Sequence, residues 1–346
     1  MQSLSRRHFI AVNASLLFAF CASNRHGNTR SQKSNGEIIT VNGSINASAM
    51  GKTLIHEHIL VDFIGADKIS KERWNVKDVI RKVSPYVEEA KVHGVVTLFD
   101  CTPAYLGRDI QILQRLSKEI GINIVTNTGY YGAVNNKYLP AHAHKESADE
   151  LATRWIQEFR DGIDGTTVRP GFIKIGVDGN SLSPLHRKLV HAACITHKAT
   201  GLTISSHTGK ASLALQQLAV LDEMNVSRDA FVWVHAQAEE DEQQYLTIAR
   251  SGTWISLDGF GEESLDKYIR SLKVLKSGKL LDKVLISHDA GWYRPGEPNG
   301  GAFTPYTRIF THLLPALKQS GFDDGDLELL LIQNPANAYQ LKVIDG

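Results

Sequence analysis

Thr53–Leu60 reads TLIHEHIL, with a histidine, a glutamate and a second histidine set between pairs of apolar residues. Leu54, Ile55, Ile59 and Leu60 make the stretch a short buried strand rather than a solvated loop. Side chains at i and i+2 of a strand share a face, so His56 and His58 project together while Glu57 faces away. Two neighbouring imidazoles in a buried setting need partners, because unpaired polar groups are costly there. A metal is one such partner; ordinary core hydrogen bonds are the other. These eight residues alone leave the choice open.

Outward from this stretch the chain alternates between two textures. Apolar or β-branched runs occur at KTLIHEHI, VVTLFDC, INIVTNTGYY, FIKIGVD, LTISSHT, FVWVHA, TWISLD and KVLISHDA. Segments with helical spacing separate them, among them VKDVIRKVSPYVEEAKVHG, DIQILQRLSKEIG, LHRKLVHAACITHKATG and EEDEQQYLTIARSG. Four end in a glycine just before the next strand (Gly94, Gly121, Gly201 and Gly252), as helix C-termini do. Eight strand–helix units in roughly 300 residues are what a closed (β/α)8 TIM barrel requires, so the fold class is α/β. EIITVNGSINAS, ahead of the first strand, predicts a short N-terminal β-hairpin capping the barrel. Neither a second domain nor an internal repeat beyond the βα alternation is expected.

The 346 residues are 42% hydrophobic and 22% charged, ample for a globular core. The opening segment stands apart from that core. SRRHFIAVNASLLFAFCAS joins Arg6 and Arg7 to an apolar run too short to span a bilayer. It resembles a twin-arginine export signal, which predicts a signal peptide over residues 1–23 and a periplasmic or secreted protein. Phe20 is too large for a good lipid-attachment site at Cys21. Residues 24–37, NRHGNTRSQKSNGE, lack apolar periodicity and read as a flexible linker, leaving 38–346 as the folded domain. Removal of Arg6 and Arg7 with the signal takes the net charge from +1 to −1, so nothing favours nucleic acid or an anionic membrane surface. Only Cys101 and Cys194 then remain, which excludes a disulfide framework.

Active sites of such barrels lie at the C-terminal ends of the strands. Read strand by strand, those ends offer His56 and His58, Lys174, His207, His235 and Asp289. One buried histidine is usually a satisfied core residue, but that explanation fails for so many polar groups converging on one mouth. Imidazole and carboxylate suit zinc and similar divalent ions. Lysine ordinarily is no ligand, because its ammonium carries no lone pair. A neutral lysine, however, reacts with carbon dioxide to give a carbamate whose two oxygens can bridge two metals. That constellation is the amidohydrolase superfamily's.

The pieces LIHEHIL, YLGRD, TGYY, IKIG, SHTG, VHAQ, ISLDG, SHDAGW and NPANAY are similar to those of the phosphotriesterase family of metal hydrolases, and they spread over the whole mature chain. The resemblance implies two divalent metals, zinc first, with manganese or cobalt also compatible. By it His56, His58 and Asp289 hold the more buried metal, His207 and His235 the more exposed one, and carboxylated Lys174 bridges them. A hydroxide shared by the metals then attacks the substrate, and Asp289 carries the proton away as general base. Tyr131 matches a tyrosine that lactonase members place near the metals.

The sequence also departs from the family. Asp258 on the seventh strand is followed by Gly259, where phosphotriesterases place histidine and lactonases usually arginine. The acidic residue after the sixth-strand histidine is displaced as well, with Ala238 near that point and Glu239 and Glu240 just beyond. The eighth loop, GWYRPGEPNGGAFTPYTR, has the composition of a substrate-shaping loop. Tyr131, Trp292, Tyr293 and Asp258 are the expected substrate contacts.

Other histidines are set aside. His142 and His144 in AHAHKES are expected on a loop, His191 and His197 on a helix outside the barrel, and His288 turned away from the lumen. The expected function is an exported binuclear hydrolase of a lactone or carboxylic ester, with phosphotriester hydrolysis as a side activity; phosphotriester or amide substrates are the alternatives. A periplasmic binding protein or a mononuclear deaminase-like relative would have no need of Lys174. The expected partners are a small-molecule substrate and, at most, a second copy of the chain in a homodimer.

Overall fold

Thr53 to Leu60 are all buried in the first barrel strand, Lys52–Leu60, because helices cover its outer face and the barrel filling covers its inner one. The computed structural model describes residues 36–261 and 265–342. The signal peptide, Cys21 and all but the end of the 24–37 linker lie outside the described residues.

Parallel pairing runs from the first strand to Val95–Asp100 and on to Asn123–Val125. It continues from Asn127–Thr128 through Phe172–Gly176, Ile204–His207, Phe231–Val234 and Trp254–Leu257 to Val284–Ile286. Ala290–Tyr293 returns beside the first strand, opposite Glu57, His58 and Leu60, and closes the ring. The eight expected strands are therefore present, with the third and the eighth each broken into two pieces.

Helices alternate with the strands. Asn75 caps Val76–Val92, Asp109 caps Ile110–Ile120, and Ser183 caps Pro184–Thr200, each through its side-chain oxygen. Gly121 and Gly201 end two of them in the left-handed conformation, with φ of 69° and 75°. AHAHKES corrects the expectation of a loop: Ala141–Lys145 is a short helix, and His142 Nε2 lies 2.9 Å from the Tyr130 hydroxyl. Cys101 and Cys194 are buried free thiols.

Glu37–Thr40 and Gly43–Asn46 pair antiparallel as the expected hairpin, which begins at Glu37 and so takes in the last residue of the expected linker. Its Ile38, with Met50, Ala338 and Tyr339, packs against the inward residues Ile55, Phe99, Phe172, Val232 and Leu285. The hairpin thus helps to plug one end of the barrel. A register shift between Leu54 and Glu57 marks a bulge in the first strand. The bulge lets Ile55 join this interior layer while His56 and His58, one and three residues nearer the open end, also face inward.

Glu57 is completely buried and holds the break in the eighth strand. Its Oε1 accepts from Ser287 Oγ (2.8 Å) and the His288 amide (3.1 Å), and His288 Nδ1 lies 2.7 Å from the same oxygen. Its Oε2 accepts from the Ala290 amide at 2.9 Å. Between these anchors Asp289 takes a left-handed backbone, φ 54°, with its amide donating to the His56 carbonyl. Glu57→Ala would leave those donors buried without an acceptor. Unfolding free energy measured in urea should fall by about 3–5 kcal/mol, as when one partner of a buried polar pair is removed. A loss under about 1 kcal/mol, within the range of an exposed substitution, would deny Glu57 this anchoring role.

Candidate metal centre

The carboxyl ends of the strands bring His56, His58, Lys174, His207, His235 and Asp289 to the wall of one cavity of about 520 Å³. His56, His58 and Asp289 offer ligand atoms within 4.8 Å of one another. Asp289 Oδ1 lies 3.0 Å from His58 Nε2 and 3.6 Å from His56 Nε2, and Oδ2 lies 3.8 Å from His235 Nε2. The rings of His207 and His235 stand 4.3 Å apart. Lys174 is 2% exposed, and its Nζ lies 3.2 Å from His56 Nε2. All six residues expected as ligands thus share one wall.

The opposite ring nitrogens are pinned from behind. His58 Nδ1 meets Thr102 Oγ1 at 2.8 Å, and Thr102 is backed by Asp100. His56 Nδ1 and His235 Nδ1 meet the two oxygens of Asp258 at 2.9 and 2.8 Å. Such outer partners leave Nε2 of each ring facing the cavity, as metal-ligating histidines require. His207 differs: its Nδ1 lies 3.1 Å from the Tyr131 hydroxyl. The donor set therefore fits divalent ions held by nitrogen and oxygen.

The electrostatics agree. Burial pushes His56 down to about 4 and His207 well below the usual imidazole value, so both present unprotonated nitrogens at neutral pH. Burial acts against ionisation of Asp258 and Asp289, yet the surrounding imidazoles hold both carboxyls well below the usual range. Burial would lower His235 too, but the carboxylate of Asp258 outweighs it and raises this imidazole. Burial also raises the Tyr131 phenol, which stays protonated and can donate.

Two expected substrate contacts are corrected. Asp258 is completely buried and also accepts from Ser256 Oγ at 2.6 Å; it orients two histidines and cannot touch substrate. Tyr293 faces a different cavity, lined by Asp78, Arg81, Lys82 and Asn299. Tyr131 and Trp292 do line the cavity with the ligands. Trp292 has φ 78°, a costly conformation for a bulky residue and one that concentrates at functional sites. A larger cavity of about 760 Å³ has Ala104, Tyr105 and Gly107 in its wall, but its charges are already paired, Arg108 with Glu158 and Lys71 with Asp164.

The family departures have local causes. A Cβ at Gly259 would meet Gln237 Nε2 at 2.4 Å, and Gln237 Oε1 accepts from the Asp258 amide at 3.1 Å. Gln237 thus fills the space that a larger residue at 259 would need. Glu239 accepts from the amides of Ala211, Glu240 and Asp241, so it clamps backbone rather than relaying protons. Glu57, Asp100, Thr102 and Ser256 support the site without having been singled out for it by the sequence. Burial pushes the Asp100 carboxyl up to about 6. The one available signal was the run of polar residues at the second strand's end, Asp100 and Thr102.

A closed barrel carrying imidazoles and carboxylates at the carboxyl ends of its strands has the form of a barrel enzyme with a candidate metal site. The sequence profile of the Phosphotriesterase family matches residues 36–339, and the chain belongs to that family. It is 31% identical over 294 residues to the phosphotriesterase homology protein of Escherichia coli K12, covering 84% of this chain and 98% of the relative. A crystal structure of the E. coli phosphotriesterase homology protein, with phosphate in its active site, superposes with a TM-score of 0.74 at 29% identity, covering 84% of this chain and 99% of that one. Identity to the aryldialkylphosphatase of Saccharolobus solfataricus is 30% over 311 residues, covering 86% and 97% of the two chains. Identity to the human N-acetyltaurine hydrolase is 25% over 343 residues, covering 87% and 97%. The chain is a hydrolase of this family with candidate metal-binding residues.

Proposed function

We propose that the protein is a binuclear metal-dependent hydrolase that opens a lactone or carboxylic ester, with phosphotriester hydrolysis as a side activity. His56, His58 and Asp289 would hold one divalent ion, His207 and His235 the other, and Lys174, carboxylated by carbon dioxide, would bridge them. The observation that carries this reading is the buried Lys174 amine amid the histidines, 3.2 Å from His56 Nε2 and with no ion pair to a carboxylate among the described residues. Bound there, the ions would polarise the electrophilic centre and lower the pKa of water.

The chain's own groups do the rest. Asp289, held ionised by its imidazole neighbours, is placed to accept the proton released on attack. Tyr131 keeps its hydroxyl proton and can orient a substrate oxygen beside His207. Asp258 and Thr102 fix the rings of His56, His235 and His58 so that little reorganisation is needed at the moment of reaction. An amide substrate is the second reading, favoured by the likeness to N-acetyltaurine hydrolase. Chelator-treated protein should lose ester and lactone turnover and regain it with zinc, faster when bicarbonate is added than when carbon dioxide is stripped out. Recovery indifferent to bicarbonate would remove the carbamate; turnover of phosphotriesters or amides in preference to esters would move the substrate assignment.

A further inference from the structure

Val134, Asn135 and Asn136 hold three successive left-handed backbones, with φ of 59°, 55° and 61°. Residues other than glycine visit this region singly, and a β-branched side chain does so least readily. Val134 is also 50% exposed, so burial does not offset its strain. Such a turn persists only where its surroundings impose it. This one follows Tyr131 by three residues, in the loop that leaves the third strand.

The group that holds the turn is His186, in the first turn of the helix Pro184–Thr200 and 3% exposed. Its Nε2 lies 3.0 Å from the Gly132 carbonyl oxygen and 3.0 Å from Asn136 Oδ1. Both neighbours are acceptors, so this nitrogen carries a proton and donates to them. The Asn136 amide donates to the same Gly132 carbonyl at 3.2 Å, and the Asn135 amide donates to Asp178 Oδ2 at 3.0 Å. His186 Nδ1 is buried with no hydrogen-bond partner among the described residues. An apolar side chain of similar volume would avoid that cost. What the imidazole supplies instead is its hold on the Gly132 carbonyl, directly after Tyr131.

Gly132 extends that hold to the fourth strand. Its amide donates to the Gly176 carbonyl at 2.9 Å, and Tyr131 forms a parallel bridge with Gly176. A Cβ on Gly176 would stand 2.7 Å from the Tyr131 ring, and one on Gly132 would stand 2.8 Å from both the Gly176 oxygen and Leu189. The ring therefore lies directly on the strand backbone, and from there its hydroxyl reaches to 3.1 Å from His207 Nδ1. We infer that His186 is a positioning residue: by holding the Gly132 carbonyl it fixes the Tyr131 hydroxyl beside the candidate ligand His207. The inference rests on the proposed role of Tyr131 in orienting a substrate oxygen.

The test is a double-variant cycle on metal-loaded protein, read with whichever of an aryl ester, a lactone, an anilide or a dialkyl aryl phosphate the wild type turns over. His186→Leu fills similar space but cannot donate. Its kcat should fall about 10–100-fold, as a displacement of about 1 Å can cost, with KM and metal content little changed. His186→Gln, whose amide nitrogen can reach the same point, should restore most of the loss. In a Tyr131→Phe background, His186→Leu should cost less than about twofold, because residues that act through one another are not additive. Asn136→Ala removes the other acceptor at a half-buried position and serves if His186→Leu does not fold. It should give a smaller loss of kcat that likewise vanishes in Tyr131→Phe. Losses that multiply in the double variant, or wild-type kcat in either His186→Leu or Tyr131→Phe, would overturn the inference even where the hydrolysis stands. Turnover of none of the four substrates would end the proposed reaction instead, and the hold on the loop would then be read from hydrogen exchange. The Gly132 and Asn136 amides should exchange about tenfold faster in His186→Leu than in the wild type; unchanged exchange would overturn the inference.

Discussion

Lys174→Ala protein is expected to fold, to lose metal and to retain almost no hydrolytic activity. The side chain is 2% exposed, and its amine lies 3.2 Å from His56 Nε2, inside the ring of candidate ligands. A bare ammonium there would repel divalent ions: two unit charges about 4 Å apart at an effective dielectric of 20 repel by about 4 kcal/mol, and a double charge raises this. Carboxylation would reverse the sign and supply two oxygens, so on the proposed account metal binding and carboxylation should reinforce each other. Removing an outer partner of a metal ligand typically costs about 10–100-fold, and a bridging group should cost more, at about 10³-fold or beyond in kcat/KM. Short carboxylic acids should restore part of the activity by standing in for the carbamate. A variant with full activity and full metal content would show that Lys174 has no part in the centre.

Asp289→Asn gives the second large effect and isolates a proton step. Asp289 sits at φ 54°, a conformation that asparagine accepts about as readily as aspartate, so the backbone of the eighth strand should be undisturbed. An amide oxygen can still face His58, but it is a weaker ligand and a far poorer proton acceptor. Turnover should fall by about 10²–10⁴-fold, the usual contribution of a general base. The loss should lie in kcat more than in KM, with part of the metal retained. Near-normal kcat would send the proton elsewhere; Glu239, whose oxygens already accept from three backbone amides, is poorly placed to take it.

That the six residues expected as ligands share one cavity was legible because each interrupts an otherwise apolar strand run near its carboxyl end, where a barrel gathers its strands. His56 and His58 also carried their own geometry in their spacing. What remained hidden depends on contacts between distant parts of the chain. The direction of Glu57 could be read from alternation, but its donors on Ser287, His288 and Ala290 lie about 230 residues later, and only the closed ring brings them together. Asp258 looked like a substrate contact because it too ends a strand, yet it reaches behind the two imidazoles it orients. Tyr293 and Trp292 are adjacent, and strand alternation sends one to the catalytic cavity and the other away from it. The bulge at Leu54–Glu57 has no local signature at all. The helix at Ala141–Lys145 is too short for periodicity to announce it.

The centre's most direct test is the metal-to-chain ratio of active protein, measured by elemental analysis on samples purified without added metal and titrated back with zinc. The proposed assignment of His56, His58 and Asp289 to one ion and His207 and His235 to another, with Lys174 between them, predicts activity that rises until two ions are bound per chain and then levels off. Full activity at one ion per chain, with no further gain from a second, would contradict the binuclear centre.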